Sequence, residues 1–272
     1  MFETDPAASS RITPPRGHFF ADPFLLTHAG SKFLFFEDYD HDLGKGMVAF
    51  MQQRSDGTWT PAQTVLERDY HLSYPCVFAD GGEVYMVPET SANHTIELYR
   101  AVGFPHRWEL DSVLMRDVKA ADTTLHHARD GRWCMFTSLA PDAASYYGPL
   151  HLFWAASPRG PWTPHRANPI STDGLRTRSA GALFQRDGTL YRPSQDCSAQ
   201  YGQAVIMNRV DELSEASYRE TPVDRMTAAT VDGALRVHTF NCDQDLEVRD
   251  ALRFTPRSNW RAAWRRRWEG RR

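Results

Sequence analysis

A short pattern returns about every fifty residues and dictates the fold class. Each copy is an apolar, strand-like run, a Gly-containing turn and a second apolar run. The first reads Asp22-Pro23-Phe24-Leu25-Leu26, turn, Phe33-Leu34-Phe35-Phe36-Glu37, and the second Tyr74-Pro75-Cys76-Val77-Phe78, turn, Val84-Tyr85-Met86-Val87-Pro88-Glu89. The third reads Asp122-Thr123-Thr124-Leu125-His126, turn, Trp133-Cys134-Met135-Phe136-Thr137-Ser138. The fourth reads Ser179-Ala180-Gly181-Ala182-Leu183-Phe184, turn, Leu190-Tyr191-Arg192-Pro193. The turns are Ala29-Gly30-Ser31, Asp80-Gly81-Gly82, Asp130-Gly131 and Asp187-Gly188, whose residues suit tight hairpins. A third run follows each hairpin, and Trp59, Trp108 and Trp162 open a fourth in three units.

Four antiparallel strands per unit is the signature of a propeller blade. A shorter fifth unit, 236–252, surrounds Val237-His238-Thr239-Phe240-Asn241. The fold class expected is therefore all-β, a five-bladed β-propeller over 17–254, with a β-sandwich as the competing architecture. Residues 1–16 form an arm expected to lend a strand and close the ring. Residues 255–272 change character: Trp260, Trp264 and Trp268 at i, i+4 and i+8 make one stripe flanked by arginines. That spacing predicts a short C-terminal helix packed on the propeller, or docked on an anionic membrane surface or a protein partner.

Composition narrows the function classes. A formal charge of −3 gives no global case for nucleic-acid binding. No apolar run approaches the ~18 residues of a spanning helix, and Met1-Phe2-Glu3-Thr4-Asp5-Pro6 lacks the basic and apolar regions of a secretory signal. A cytoplasmic protein with reduced thiols at Cys76, Cys134, Cys197 and Cys242 is the expectation.

In a blade, the start of the first strand and the end of the second lie on one face. That geometry gathers Asp22, Tyr74, Asp122 and Ser179 with Glu37, Glu89, Ser138 and Asp196, beside Arg192 and Gln195. His238 and Asn241 join from the fifth unit. Glu37 and Asp38, in a charged stretch, are expected to be solvated, and Asp196 to have Arg192 within reach as an ion-pair partner. No nucleophile elbow, phosphate loop or dinucleotide fingerprint is present. His126 and His127 point to opposite faces of a strand, and no other histidines or cysteines have zinc spacing; no metal site is predicted. Several carboxylates around one pocket are the inventory that glycoside cleavage needs. Asp22 is assigned as general base, Asp122 as the orienting and pKa-tuning group and Glu89 as general acid. Sugar contacts are assigned to His71, Tyr74, Ser179, Arg192, Gln195, Asp196, His238 and Asn241.

Ala21-Asp22-Pro23-Phe24, followed by Asp122, resembles the five-bladed hydrolases of the arabinanase/β-xylosidase and invertase type. Those families carry acids in blades one and three and a catalytic Glu in blade four. Here blade four opens with Arg178-Ser179-Ala180-Gly181, so that Glu is missing from its usual place. In some arabinanases a histidine of blade five helps hold a calcium or a water on the axis, and His238 matches it; no other cofactor is implied. A closer resemblance rests on Phe20-Ala21-Asp22-Pro23-Phe24, His71-Leu72-Ser73-Tyr74-Pro75, Val87-Pro88-Glu89, Tyr191-Arg192-Pro193-Ser194-Gln195-Asp196-Cys197 and His238-Thr239-Phe240-Asn241. These stretches are similar to the N-terminal propeller domain of glucosamine inositolphosphorylceramide transferases and its bacterial relatives. The resemblance implies a carbohydrate or glycoconjugate partner. Two functions follow: hydrolysis of an O-glycosyl bond, or non-catalytic glycan binding beside a separate glycosyltransferase.

Overall fold

Three of the four turns become two-residue hairpin corners with both residues left-handed, at Ala29-Gly30, Gly81-Gly82 and Asp187-Gly188. They appear in a computed structural model that describes residues 10–142, 148–231, 233–243 and 245–253. The protein is an all-β propeller with almost no helix.

Blade one is the meander β1 (His18–His28), β2 (Ser31–Asp40), β3 (Lys45–Gln52) and β4 (Gln63–Leu66). Blade two comprises β5 (Ser73–Asp80), β6 (Glu83–Thr90), β7 (Thr95–Gly103) and β8 (Arg107–Arg116). Blade three comprises β9 (Ala120–His127), β10 (Trp133–Leu139), β11 (Leu150–Ala155) and β12 (Thr163–Pro164). In blade four the first strand is split into β13 (Arg178–Ser179) and β14 (Phe184–Arg186), both paired to β15 (Thr189–Asp196). β16 (Ala204–Leu213) and β17 (Tyr218–Thr227) complete it.

The fifth unit does not build a blade. Among the described residues it gives only a two-stranded ribbon, β18 (Phe240–Asp243) with β19 (Leu246–Arg249), so four full blades replace the expected five. Residues 10–17 form no strand beside the ribbon. The rest of the arm, 1–9, and the predicted helix over 255–272 lie outside the described residues.

The core lies between blades rather than within them. Phe24, Phe35 and Phe50 pack with Tyr74, Met86 and Trp108 across the first junction. Val87 and Leu98 meet Leu125 and Met135 across the second, and Phe136 and Trp154 meet Leu183 across the third. The ribbon fills the remaining gap: Val237 and Phe240 pack on Phe184 and Met207, and Val248 on the blade-one cluster around Phe36. Covered on both sides, β2 is buried continuously from Phe33 to Asp38, which is why these strands read as apolar runs instead of strict alternation.

Asn241 locks that closure. Its side chain donates to the Pro23 carbonyl of blade one (2.7 Å) and accepts the Ala182 N–H of blade four (2.8 Å). Asn241→Ala strands a buried acceptor and a buried donor and should lower the unfolding free energy by about 2 kcal/mol or more. Denaturant unfolding of the variant checks this.

Candidate functional site

The repeat places one residue in each of the first three blades in a strained conformation. Between Ala21 and Phe24, Ser73 and Cys76, and Ala121 and Thr124, each first strand slips register against its partner. The bulged residues Asp22, Tyr74 and Asp122 have φ of 51°, 45° and 51°. Left-handed backbone in a non-glycine residue is strained, of order 1–3 kcal/mol each, and persists where surrounding contacts enforce it. In blade four Ser179 opposes Ser194 as Ala121 opposes Ser138. The matching positions are therefore Ala180 and Ser194, not Ser179 and Asp196 as expected. Gly181 follows there because a Cβ would lie 2.0 Å from the Phe240 carbonyl oxygen.

Around the axis these residues bind one another. Asp22 accepts the backbone N–H of Tyr74 (3.2 Å). The Tyr74 hydroxyl lies 2.9 Å from Thr124 Oγ1 and accepts the Gly181 N–H at 2.8 Å. Tyr74 is completely buried; it ties blades two, three and four rather than facing a ligand. Glu89 accepts the N–H of Asp122 (3.0 Å). Asp122 accepts from Gln195 Nε2 (3.1 Å) and from Arg178 Nε.

A second charge cluster sits at the ribbon. His238 Nδ1 is 2.6 Å from Asp250 Oδ2, and Nε2 is 3.4 Å from Asp22 Oδ1. Asp250 also accepts the backbone N–H groups of Asp22, His238 and Thr239. Burial pulls the His238 pKa down, but the Asp250 and Asp22 carboxylates outweigh it and raise the imidazole to about 10. Burial likewise lifts Asp22, to about 7, with His238 opposing. Asp22, His238 and Asp250 present donor atoms within 4.8 Å of one another. The Asp250 oxygens and Asp22 Oδ2 already accept protein N–H groups, so the remaining pair falls far short of the six to eight oxygens calcium takes. These residues do not fit a calcium ion.

A cavity of about 500 Å³ has Glu89 in its wall. His71, Glu89, His94, Lys119, Ser138 and Arg178 line it. Asp22 and Asp122, 6% and 3% exposed, are not part of its lining. Burial, then Asp122, raise the Glu89 carboxyl to about 7 against the pull of Arg178. His71 accepts the Gly46 N–H through Nδ1 (2.8 Å) and sets Nε2 3.5 Å from Glu37; burial lowers its pKa.

Other expected contacts lie elsewhere. Arg192 is fully buried, paired with Glu220 through two bonds (2.8 and 2.7 Å). Asp196 pairs with Arg225 (2.7 Å), not Arg192, and Ser198 and Arg225 hold it down at about 2 against burial. Asn241 is the strut between blades, Gln195 supports Asp122, and Ser179 is buried. Glu37 and Asp38 are buried rather than solvated, and burial, then Asp22, raise Glu37 well above the usual carboxylate range. Arg178, Asp250 and Tyr201, whose ring lies 5.4 Å below the Arg178 guanidinium, were not singled out from sequence. Arg178 was legible as the opening residue of blade four; Asp250, closing an abbreviated unit, carried no signal.

The raised groups give stability a pH slope. Asp22 and Glu89 keep protons in the folded protein that unfolded carboxyls, at 3.8 and 4.5, have lost, so stability should fall from about pH 4.5 to 7. His238 adds the same sign higher up: its contribution is complete below 6.5 and lost toward 10. Denaturant midpoints at about pH 5, 7 and 9 should decline in order, and Glu89→Gln should flatten the first interval.

The model of the family described as glucosamine inositolphosphorylceramide transferase 1, N-terminal, matches residues 6–249. Glucosamine inositolphosphorylceramide transferase 1 of Arabidopsis thaliana is 34% identical over 236 residues, 84% of this chain and 31% of that protein. The Oryza sativa subsp. japonica protein of the same name is 37% identical over 220 residues, 78% of this chain and 29% of its own. The chain thus spans about a third of the length of these relatives. Among solved structures, a family 43 β-1,3-galactosidase superposes with a TM-score of 0.59 at 11% identity, covering 80% of this chain and 48% of its own. A family 117 glycoside hydrolase from Zobellia galactanivorans gives 0.57 at 10%, covering 76% and 70%. At such identities the likeness is one of fold.

Proposed function

Because the chain belongs to the family of glucosamine inositolphosphorylceramide transferase 1 N-terminal domains, we propose that it binds the sugar–inositol–phosphate headgroup of a glycoconjugate, with the inositol phosphate in its cavity. The observation that carries this reading is the cavity wall. Glu89 stands there, fixed by the Asp122 N–H, with Lys119, Arg178 and His94 as neighbours on the lining. Cationic side chains suit a phosphate. A carboxyl near pKa 7 can donate to a hydroxyl when protonated and accept from one when ionised. The curated relatives are named for glucosamine and inositolphosphorylceramide, which contain both groups.

A second reading is hydrolysis of a glycosidic bond, with Glu89 as acid, Asp22 as base and Asp122 tuning them. It is favoured by the two carboxyls held near pKa 7, within one electrostatic cluster, and by the hydrolase-like fold. Binding is preferred because Asp22 does not line the cavity.

Calorimetric titration with glucosaminyl-inositol phosphate separates the cases. Wild type should bind, and Glu89→Gln should bind about tenfold more weakly through one poorer hydrogen bond. Ionisation of Glu89 sets its charge against the phosphate, so affinity should fall as pH rises through about 7, more steeply in wild type than in the Gln variant. No binding by the wild type, or equal affinities at every pH, overturns the reading. Release of free glucosamine during the titration establishes hydrolysis instead.

A further inference from the structure

We propose that Phe19, Tyr39 and His71 form a second sugar subsite, an aromatic ramp running from the rim of blade one to the cavity. It rests on the cavity reading above and extends it to a second ring of the same ligand. Phe19 and Tyr39 are cross-strand partners, two residues beyond the Ala21–Glu37 pair and therefore on the same face of the sheet. Their rings stack 4.6 Å apart with 9° between planes. Tyr39 in turn lies 5.9 Å from His71, which lines the cavity.

Neither Phe19 nor Tyr39 belongs to any of the hydrophobic clusters of the core. The next residue shows the contrast. Phe20 packs inward on Phe36 at 4.6 Å, whereas Phe19 is 38% exposed. The acids that alternate with Tyr39, Asp38 and Asp40, face the other way and hold His18 (2.7 and 3.9 Å). What remains on the near face is aromatic: His41 adds an edge against both rings, at 5.7 and 5.3 Å.

Gly46 connects the ramp to the cavity. It pairs with Tyr39 across β2 and β3. A Cβ there would meet the Leu72 carbonyl oxygen at 2.4 Å, Glu37 Oε1 at 2.6 Å and His71 Cε1 at 2.8 Å. Only glycine lets His71 lie between Tyr39 and Glu37, where it bridges rim and cavity. An aromatic face offers the C–H side of a pyranose ring a flat apolar support, while imidazole groups meet the hydroxyl edge. The ligand class is a saccharide ring linked to the one held in the cavity.

The test compares two probes on the intact chain, inositol 1-phosphate for the cavity alone and glucosaminyl-inositol phosphate for cavity plus ramp. In Phe19→Ala and Tyr39→Ala the affinity ratio of the longer to the shorter probe should fall about fivefold to tenfold, the size of one lost aromatic contact. Phe19→Trp, which keeps an aromatic face, should retain the wild-type ratio. An unchanged ratio in both alanine variants overturns the ramp and leaves the cavity reading intact. So does a proportional loss of both probes, which makes these residues structural supports. Failure of the wild type to bind either probe removes the cavity reading, and the ramp with it.

Discussion

Burial of carboxylates around one axis is the constraint on which the rest of this structure depends. Asp22, Glu37 and Asp122 are withdrawn from water near the start of the first strands and the end of the second, and the Asp250 side chain, just after β19, is nearly so. An uncompensated buried charge costs several kcal/mol, so each acid must be paired, hydrogen-bonded or protonated. All three solutions occur. Asp122 is paired with Arg178, and Asp250 with His238 and three backbone N–H groups. The left-handed bulges follow from the same demand: they turn Asp22 and Asp122 into the ring while freeing the Asp22 N–H for Asp250 and the Asp122 N–H for Glu89.

The distribution of cations then decides which acids remain available for chemistry. Removing His238 leaves Asp22 facing Asp250; removing Arg178 leaves Asp122 beside Glu89. These two cations therefore serve first to hold blades one and three to the ribbon and blade four. Glu37 has His71 Nε2 at 3.5 Å, an imidazole whose own pKa burial lowers. Glu89 forms no ion pair within 4 Å among the described residues, and burial raises both carboxyls. Only Glu89 combines that with a place on the cavity wall. Chemical availability belongs to the acid the ion pairs leave over.

Much of the architecture was legible in the sequence because it is periodic. The fifty-residue spacing, the Gly/Asp turns and the equivalence of Asp22, Tyr74 and Asp122 at the starts of first strands are local properties repeated in register; the left-handed bulges at those residues were not legible. Blade four broke the reading for an equally local reason. Four residues, 180–183, lie between the paired segments where other blades have two, so alignment by apolar pattern slipped Ser179 and Asp196 into places held by Ala180 and Ser194. The partners were not legible. That Asp196 pairs with Arg225, Arg192 with Glu220 and His238 with Asp250 depends on which strands become neighbours, and each of these side chains is an unremarkable polar residue in its own segment.

Arg178 carries the sharpest consequence. It opens blade four, and its guanidinium is bonded to Asp122 while also lining the cavity. An arginine holds its proton at every physiological pH, so this position cannot deliver one to a leaving group. It can attract an anion and fix its orientation. The same ion pair opposes the charge of Asp122, which pushes Glu89 up. The cavity wall therefore carries a tethered cation beside one carboxyl raised to about 7.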